Sequence, residues 1–355
     1  MRSQADSSGI TKRHHAESVT IHDVAERAGV SVATVSRVFN NKGPMREATY
    51  QRVLAVAERM RYVPHAAARS LSTRRTSTIG VVLPELHGEF FSEVIRGIDV
   101  SARSRGLHLI VSGSHSDREE MSAVLRAVRG RVDGLIVMSP DLDASTLLRD
   151  LPDYVPVVLL NAVVDGRPSI TIDNAGGARA VVHHLAGLGH RRIAFVGGPA
   201  NNGDAAQRRR GYRAGVRATG AESEPSLELA GNFTEDSGYE AARAIARLSP
   251  RPTAVFAAND AMAIGALSAF HEEGMRVPDD IALVGFDDIP MARFLSPPLT
   301  SVKVPIADLG RRGLALLLDS SHTTRCETLK TSLMVRQSCG TSLTRTRQTS
   351  QEESR

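Results

Sequence analysis

Tryptophan is absent from the 355 residues, and all aromatics together make up only 4% of them. Any core is therefore expected to be aliphatic. Cysteine is almost as scarce: Cys326 and Cys339, both near the C-terminal end, are the only two. That excludes a disulfide framework and fits reduced thiols. No apolar run is long enough to span a bilayer, and Met1 to Ile10 lack the apolar stretch of a secretory signal, so a cytoplasmic location is expected. A G-x-S-x-G elbow, a Walker loop and a G-x-G-x-x-G fingerprint are all missing, as is any Cys/His cluster at metal-ligand spacing. On those grounds neither an enzyme nor a metal or other cofactor is expected. His14 and His15 stand together, but neighbouring histidines in a polar tail usually sit in water.

The apolar fraction of 41% and the charged fraction of 23% are ordinary for a soluble protein. The length allows a small head and a body of two lobes, each with its own core. The net charge of +5 becomes informative when divided. Residues 1–76 hold 13 Lys and Arg against 6 Asp and Glu, whereas residues 77–355 hold 31 against 33. The basic surplus lies wholly in the first segment, as a head that binds a polyanion requires. A solvated basic tail is the plainer alternative.

Within that segment, Ile21 to Asn40 carries a spacing that two short helices need to pack nearly perpendicular through a tight turn. Ala25 lets the helices approach, Gly29 can take the positive φ of the turn, and Val35 plugs the angle between them. On the second helix, Ser31 to Phe39, the residues Val35, Val38 and Phe39 form an apolar stripe at i, i+3, i+4. Ala33, Thr34 and Arg37 lie opposite, free to meet a DNA groove. This reads as a helix-turn-helix with its recognition helix.

Residues 1–18 lack periodicity and read as a disordered tail. Thr20 has the chemistry to cap the first helix. A third helix, from about Arg46 to Arg61 and burying Val53, Leu54, Ala57 and Met60, completes a head over residues 19–64. Residues 65–76 read as a two-turn hinge helix, His65 to Leu71, followed by a basic linker. So short a helix is marginal alone and suits an element that folds only when something holds it; a plain linker is the alternative. From Thr78, strands and helices alternate in two successive series, the first ending at the strand Val155–Leu160 and the second running from the helix Gly176–Leu188 to the strand Ile281–Val284. A late helix, Ile306–Leu318, and a short strand, Leu333–Val335, follow. Such alternation implies parallel, doubly wound sheets, and two series imply two lobes with a ligand cleft between them. The body so read covers residues 77–338, and residues 339–355 form a second polar tail.

The motifs make the resemblance specific. Val19 to Asn40, Tyr62-Val63-Pro64 with Ala68-Arg69-Ser70-Leu71, Asp173-Asn174, Leu188-Gly189-His190, Arg208 to Tyr212, Ala258-Asn259-Asp260, Val284 to Asp288 and Pro297 to Thr300 occur in order. The chain closely resembles the lactose repressor / purine repressor family of bacterial transcription regulators from Val19 to Leu333. That resemblance implies an all-α helix-turn-helix head on a two-lobed, periplasmic-binding-protein-like α/β body. It implies a homodimer on double-stranded DNA of near-palindromic sequence, and operator affinity controlled by a small effector, expected to be a carbohydrate. The alternative is a two-lobed solute-binding or sensor protein without operator function, which would have no use for a helix-turn-helix.

By position in the family, Val32 and Ala33 occupy the base-reading places, where both can meet thymine methyls, and Arg37 can reach guanine. Thr20, Ser31, Thr34, Asn40 and Tyr62 match positions that hold phosphates. Leu71 matches a minor-groove wedge with Ala68 beside it, the alternative for Leu71 being a core contact with the body. For the effector, the resemblance points to Phe90, Phe91, Asn161, Ile172, Arg208, Phe233, Asn259 and Asp287. Phe233 would cover one face of a sugar, and one of Phe90 and Phe91 is expected in the core. Other readings stand beside these: Asn259 as a helix cap, Asp287 in a turn with its own backbone, Arg208 as surface charge. Asn161 stands where an aspartate often sits, which leaves the sugar's hydroxyl pattern open. The tail lacks leucine heptads, so a dimer is expected rather than a tetramer.

Overall fold

The computed structural model describes residues 19–40, 45–62, 75–319 and 325–340. The chain divides into two units, Met1–Thr76 and Ser77–Arg355. In the first, α1 (Ile21–Ala28), α2 (Val32–Asn40) and α3 (Glu47–Arg59) share one small core. Thr20 and Asp23 form a reciprocal capping box at the start of α1, and Gly29 ends it in the left-handed region at φ 62°. Val24, Ala25, Ala28, Val35, Val38, Val53, Val56 and Ala57 are buried together. On α3 the inward face is Val53, Val56 and Ala57, a strict i, i+3, i+4 set. Leu54 and Met60, expected to be inside, fall to its edges and are half-buried. The hinge helix, with Ala68 and Leu71, lies outside the described residues.

The second unit begins with β1 (Thr78–Leu83), α4 (Glu89–Arg103), β2 (His108–Gly113), α5 (Arg118–Val128), β3 (Gly134–Met138), α6 (Ala144–Asp150), β4 (Val157–Leu160) and β5 (Ser169–Ile172). It continues with α7 (Asn174–Gly187), β6 (Ile193–Val196), α8 (Gly203–Thr219), β7 (Glu228–Leu229), α9 (Glu235–Ala246), β8 (Ala254–Ala257), α10 (Asp260–Glu272) and β9 (Ala282–Asp287). β10 (Thr300–Lys303), α11 (Ile306–Leu318), β11 (Cys326–Leu329) and β12 (Ser332–Met334) complete it. Two six-stranded sheets result, in the orders β11-β5-β4-β3-β1-β2 and β12-β10-β9-β8-β6-β7. All described pairings are parallel except β10 with β12, so the second sheet carries one antiparallel edge strand.

α6, β5, β10 and β11 are absent from the sequence reading; α6 is two turns long, and the three strands mix polar with apolar residues and so lack the apolar run of β4, β6 and β8. They matter for topology, because the chain crosses between the lobes after β5, after β10 and after β11. The first lobe is therefore discontinuous, and α11 packs on α4 within it. That contact is backbone against backbone: a Cβ on Gly97 would lie 1.9 Å from the Ala307 carbonyl oxygen. The crossing segments are tied together, Asp173 N–H donating to the Leu329 carbonyl at 2.9 Å and Val304 N–H to that of Asp287 at 3.1 Å.

The cores are not wholly aliphatic. Phe195, Phe256, Phe270 and Phe286 are fully buried in the second lobe, where Phe195 stacks on Tyr212 at 4.8 Å. Scarce aromatics have been concentrated rather than dispensed with. Packing also reaches further toward the C-terminus than residue 338: Cys339 is 1% exposed, with its Sγ 3.3 Å from His184 Nε2. Among the described residues no helix is long and apolar enough to cross a membrane.

Candidate functional site

On α2, Val35 and Val38 point into the head, and Phe39 meets the Tyr62 ring edge-on at 5.6 Å. Ala33 and Arg37 are exposed on the other side, flanked by half-buried Val32 and Thr34. Ser31 Oγ accepts the Thr34 N–H at 3.2 Å, and Asn40 Nδ2 donates to Ser36 Oγ at 3.1 Å. Thr20 and Ser31 thus stand at the starts of two helices, where unpaired N–H groups and the helix dipole favour an anion.

In the second unit a cavity of about 620 Å³ opens between the two lobes. The first lobe contributes the loop after β1 with the start of α4, the loop after β3, and Asn161 at the end of β4. The second contributes α8, the loop before α9, and the C-terminal ends of β8 and β9. These are strand ends, where a parallel sheet presents its ligand contacts. Of the eight expected residues, Phe90, Phe91, Asn161, Arg208, Phe233, Asn259 and Asp287 border the cavity. Ile172 does not: it closes β5 at 1% exposure inside the hydrophobic core. Phe90 and Phe91 both face the cavity, contrary to expectation. They sit in the first turn of a helix that begins at the cavity wall, and their rings meet edge-on at 5.5 Å.

Arg208 is 3% exposed, so it is no surface charge. Its Nε donates to Asn174 Oδ1 at 2.9 Å and its Nη1 to the Ala258 carbonyl at 2.6 Å. Nη2 lies 3.0 Å from Asp287 Oδ1 as an ion pair, and the guanidinium lies over the Phe286 ring at 3.9 Å. Asn174 and Asn161 in turn donate to Asp204 Oδ1 and Oδ2, both at 2.8 Å. Burial pushes the Asp204 and Asp287 carboxyls up to about 6, against the opposing pull of the Arg208 charge. Asn259 does cap α10, accepting the Met262 N–H at 3.0 Å, and also donates to the Phe233 carbonyl at 3.0 Å. That bond holds Phe233 at φ 71°; Asn161 at φ 55° and Asp287 at φ 108° are likewise left-handed. Three strained backbones thus border one cavity.

Asp204, Asn174, Asp141 and Asn202 were missed from the sequence. Asp204 precedes Arg208 by one helical turn on α8, a charge pairing that carries a readable signal. Asp141 has none, because its role depends on the other lobe. It accepts from Asn202 Nδ2 at 2.7 Å beside the Gly203 N–H bond to the Pro140 carbonyl at 2.8 Å. Glu89 Oε2 accepts the Met291 N–H at 3.0 Å. These bonds join the lobes around the cavity.

Comparison with known proteins agrees with both units. Residues 20–65 match "Bacterial regulatory proteins, lacI family", and residues 182–339 match a periplasmic binding protein-like domain. The catabolite control protein A of Priestia megaterium is 35% identical over 306 residues, covering 84% of this chain and 91% of that protein. The ribose operon repressor of Escherichia coli (strain K12) is 36% identical over 305 residues, covering 84% and 92%. Among solved structures, the lac repressor dimer bound to operator and an anti-inducer superposes with a TM-score of 0.82 at 31% identity, covering 91% of this chain and 99% of that one. A transcriptional regulator CelR–cellobiose complex matches with a TM-score of 0.67 at 34% identity, covering 90% and 99%. A head that packs as a helix-turn-helix, a two-lobed body with a cleft at the strand ends and relatives of this extent together make the chain a member of the lacI family of bacterial regulatory proteins.

Proposed function

We propose that this protein is a ligand-controlled transcriptional repressor: its head binds a near-palindromic operator as part of a homodimer, and a carbohydrate in the cleft sets how firmly it holds. The observation that carries the reading is the coexistence, in one chain, of a helix face exposing Ala33 and Arg37 and a cleft lined by polar groups and aromatic rings. Arg37 reads guanine, while Val32 and Ala33 contact thymine methyls or leave room for them. Thr20, Ser31, Thr34, Asn40 and Tyr62 hold phosphates and set register. Ala68 and Leu71 act at the minor groove. In the cleft, Phe233 covers an apolar face of the effector, Asn161 and Asp287 accept from its hydroxyls, and Arg208 holds Asp287 in place. The lac repressor dimer on operator and the CelR–cellobiose complex support the dimer, the DNA and the sugar as partners. Ligand and operator are then reciprocally coupled through the population of two states of the body.

The test is selection of operator sequences from a random duplex library, followed by anisotropy titration with and without metabolites. A salt-sensitive preference for a two-fold symmetric duplex, shifted by a sugar, is the expected result. Equal affinity for symmetric and random duplexes under every condition would falsify the reading.

A further inference from the structure

The cleft carries information about the charge of what it takes. Six carboxylates border the cavity, those of Glu85, Glu89, Asp141, Asp204, Glu235 and Asp287, against one guanidinium, Arg208, and the imidazole of His87, 3.4 Å from Glu85. Arg208 is already engaged by Asn174, Ala258 and Asp287. The amide groups of Asn161, Asn202 and Asn259 each donate to the protein, to Asp204, Asp141 and Phe233 respectively. One buried oxygen has no donor at all, Asn161 Oδ1, in a residue 8% exposed, and Asp287 Oδ1 has only the Arg208 Nη2 ion pair at 3.0 Å. Among the buried side chains of the cavity, what stands in reserve is acceptor capacity in a negative field. A hydroxyl or ammonium group supplies the donor that Asn161 Oδ1 lacks. A phosphate ester brings up to two negative charges and acceptor oxygens, and meets like charge in a region of lowered dielectric. The rings of Phe90, Phe91 and Phe233 suit the apolar face of a sugar or the base of a nucleoside equally, so they do not decide the charge class.

We propose that the cleft selects uncharged or cationic, hydroxyl-rich ligands and discriminates against their phosphate esters. The inference rests on the cleft being the effector site, and the test separates the two claims. Full-length protein is titrated calorimetrically with matched pairs, each sugar, amino sugar or nucleoside beside its own phosphate monoester. In each pair that binds, the phosphate form is expected to be weaker by about a hundredfold. The double variant E85Q/E235Q, on the cavity rim, is expected to strengthen phosphate-ester binding by about tenfold. A phosphate ester binding as tightly as its parent, or a gap unmoved in the double variant, overturns the charge selectivity while leaving the effector site in place. Binding of either form that persists unchanged in Phe233→Ala places the ligand elsewhere and overturns the effector reading as well.

Discussion

Replacing Arg208 by alanine removes two hydrogen bonds and an ion pair at once, and leaves Asp204 and Asp287 buried without their counter-charge. Breaking such a buried arrangement costs about 3–5 kcal/mol. We expect urea denaturation of Arg208→Ala to show a loss of that size in the second unit, and a midpoint matching the parent protein would refute the buried network. Loss of effector response in this variant is therefore informative only beside Asp287→Asn, which retains the shape of the site. The two carboxyls also set a pH dependence. Their folded values, about 6, lie above the ordinary carboxyl value of 3.8, so the folded state binds these protons more tightly than the unfolded one. The stability they contribute is full below the unfolded value and is lost as pH rises through 6. Acidifying from pH 7 to 5 should then raise their contribution to the unfolding free energy of the second unit. Asp204→Asn should flatten that slope in denaturation curves collected across the range.

Elements succeed or fail at their ends and contacts. Gly29 closes α1 at φ 62°, where a Cβ meets no neighbour but the backbone conformation itself disfavours an L side chain. Gly29→Ala should cost about 1–2 kcal/mol of head stability from conformation alone, read by thermal unfolding followed through helix content. The contact of α4 with α11 fails differently. Gly97 has no room for any Cβ against the Ala307 carbonyl, so Gly97→Ala must push two backbones apart. Overpacking of this kind costs about 1–3 kcal/mol, and the loss should appear in the second unit while the head's unfolding is unchanged. The strands β5, β10 and β11 left no apolar run because Ser, Thr, Lys and Glu are mixed into their four residues, whereas the equally short β6 and β8 are apolar throughout. Neighbours in the sheet, not internal pattern, make β5, β10 and β11 strands.

For the whole molecule, the charge division places the polyanion-binding surplus in residues 1–76. Operator affinity should fall linearly in log–log plots against salt. Arg37→Ala should weaken the best operator by about 1–3 kcal/mol and relax preference at one base pair, while leaving the salt slope nearly unchanged. A uniform loss across all sequences, with a shallower slope, would instead make Arg37 a phosphate contact.

The head was legible because its contacts are local: Ala25, Gly29 and Val35 fall within one stretch of the chain, and their spacing alone dictates which side chains face inward. The alternation of strands and helices in the body was legible for the same reason, each element carrying its own period. Seven cleft residues were named through family resemblance rather than through spacing, and Ile172 shows the limit of that transfer, since it faces a core. Only the tertiary structure decided that both Phe90 and Phe91 face the cavity, that α11 and β11 return to the first lobe, and that Asp141 and Glu89 bridge the lobes. Glu89 and Met291 are 202 positions apart in the chain, and nothing local in either stretch selects the other. Strand order and three crossings bring them together, and a contact made by topology has no pattern along the sequence from which to read it.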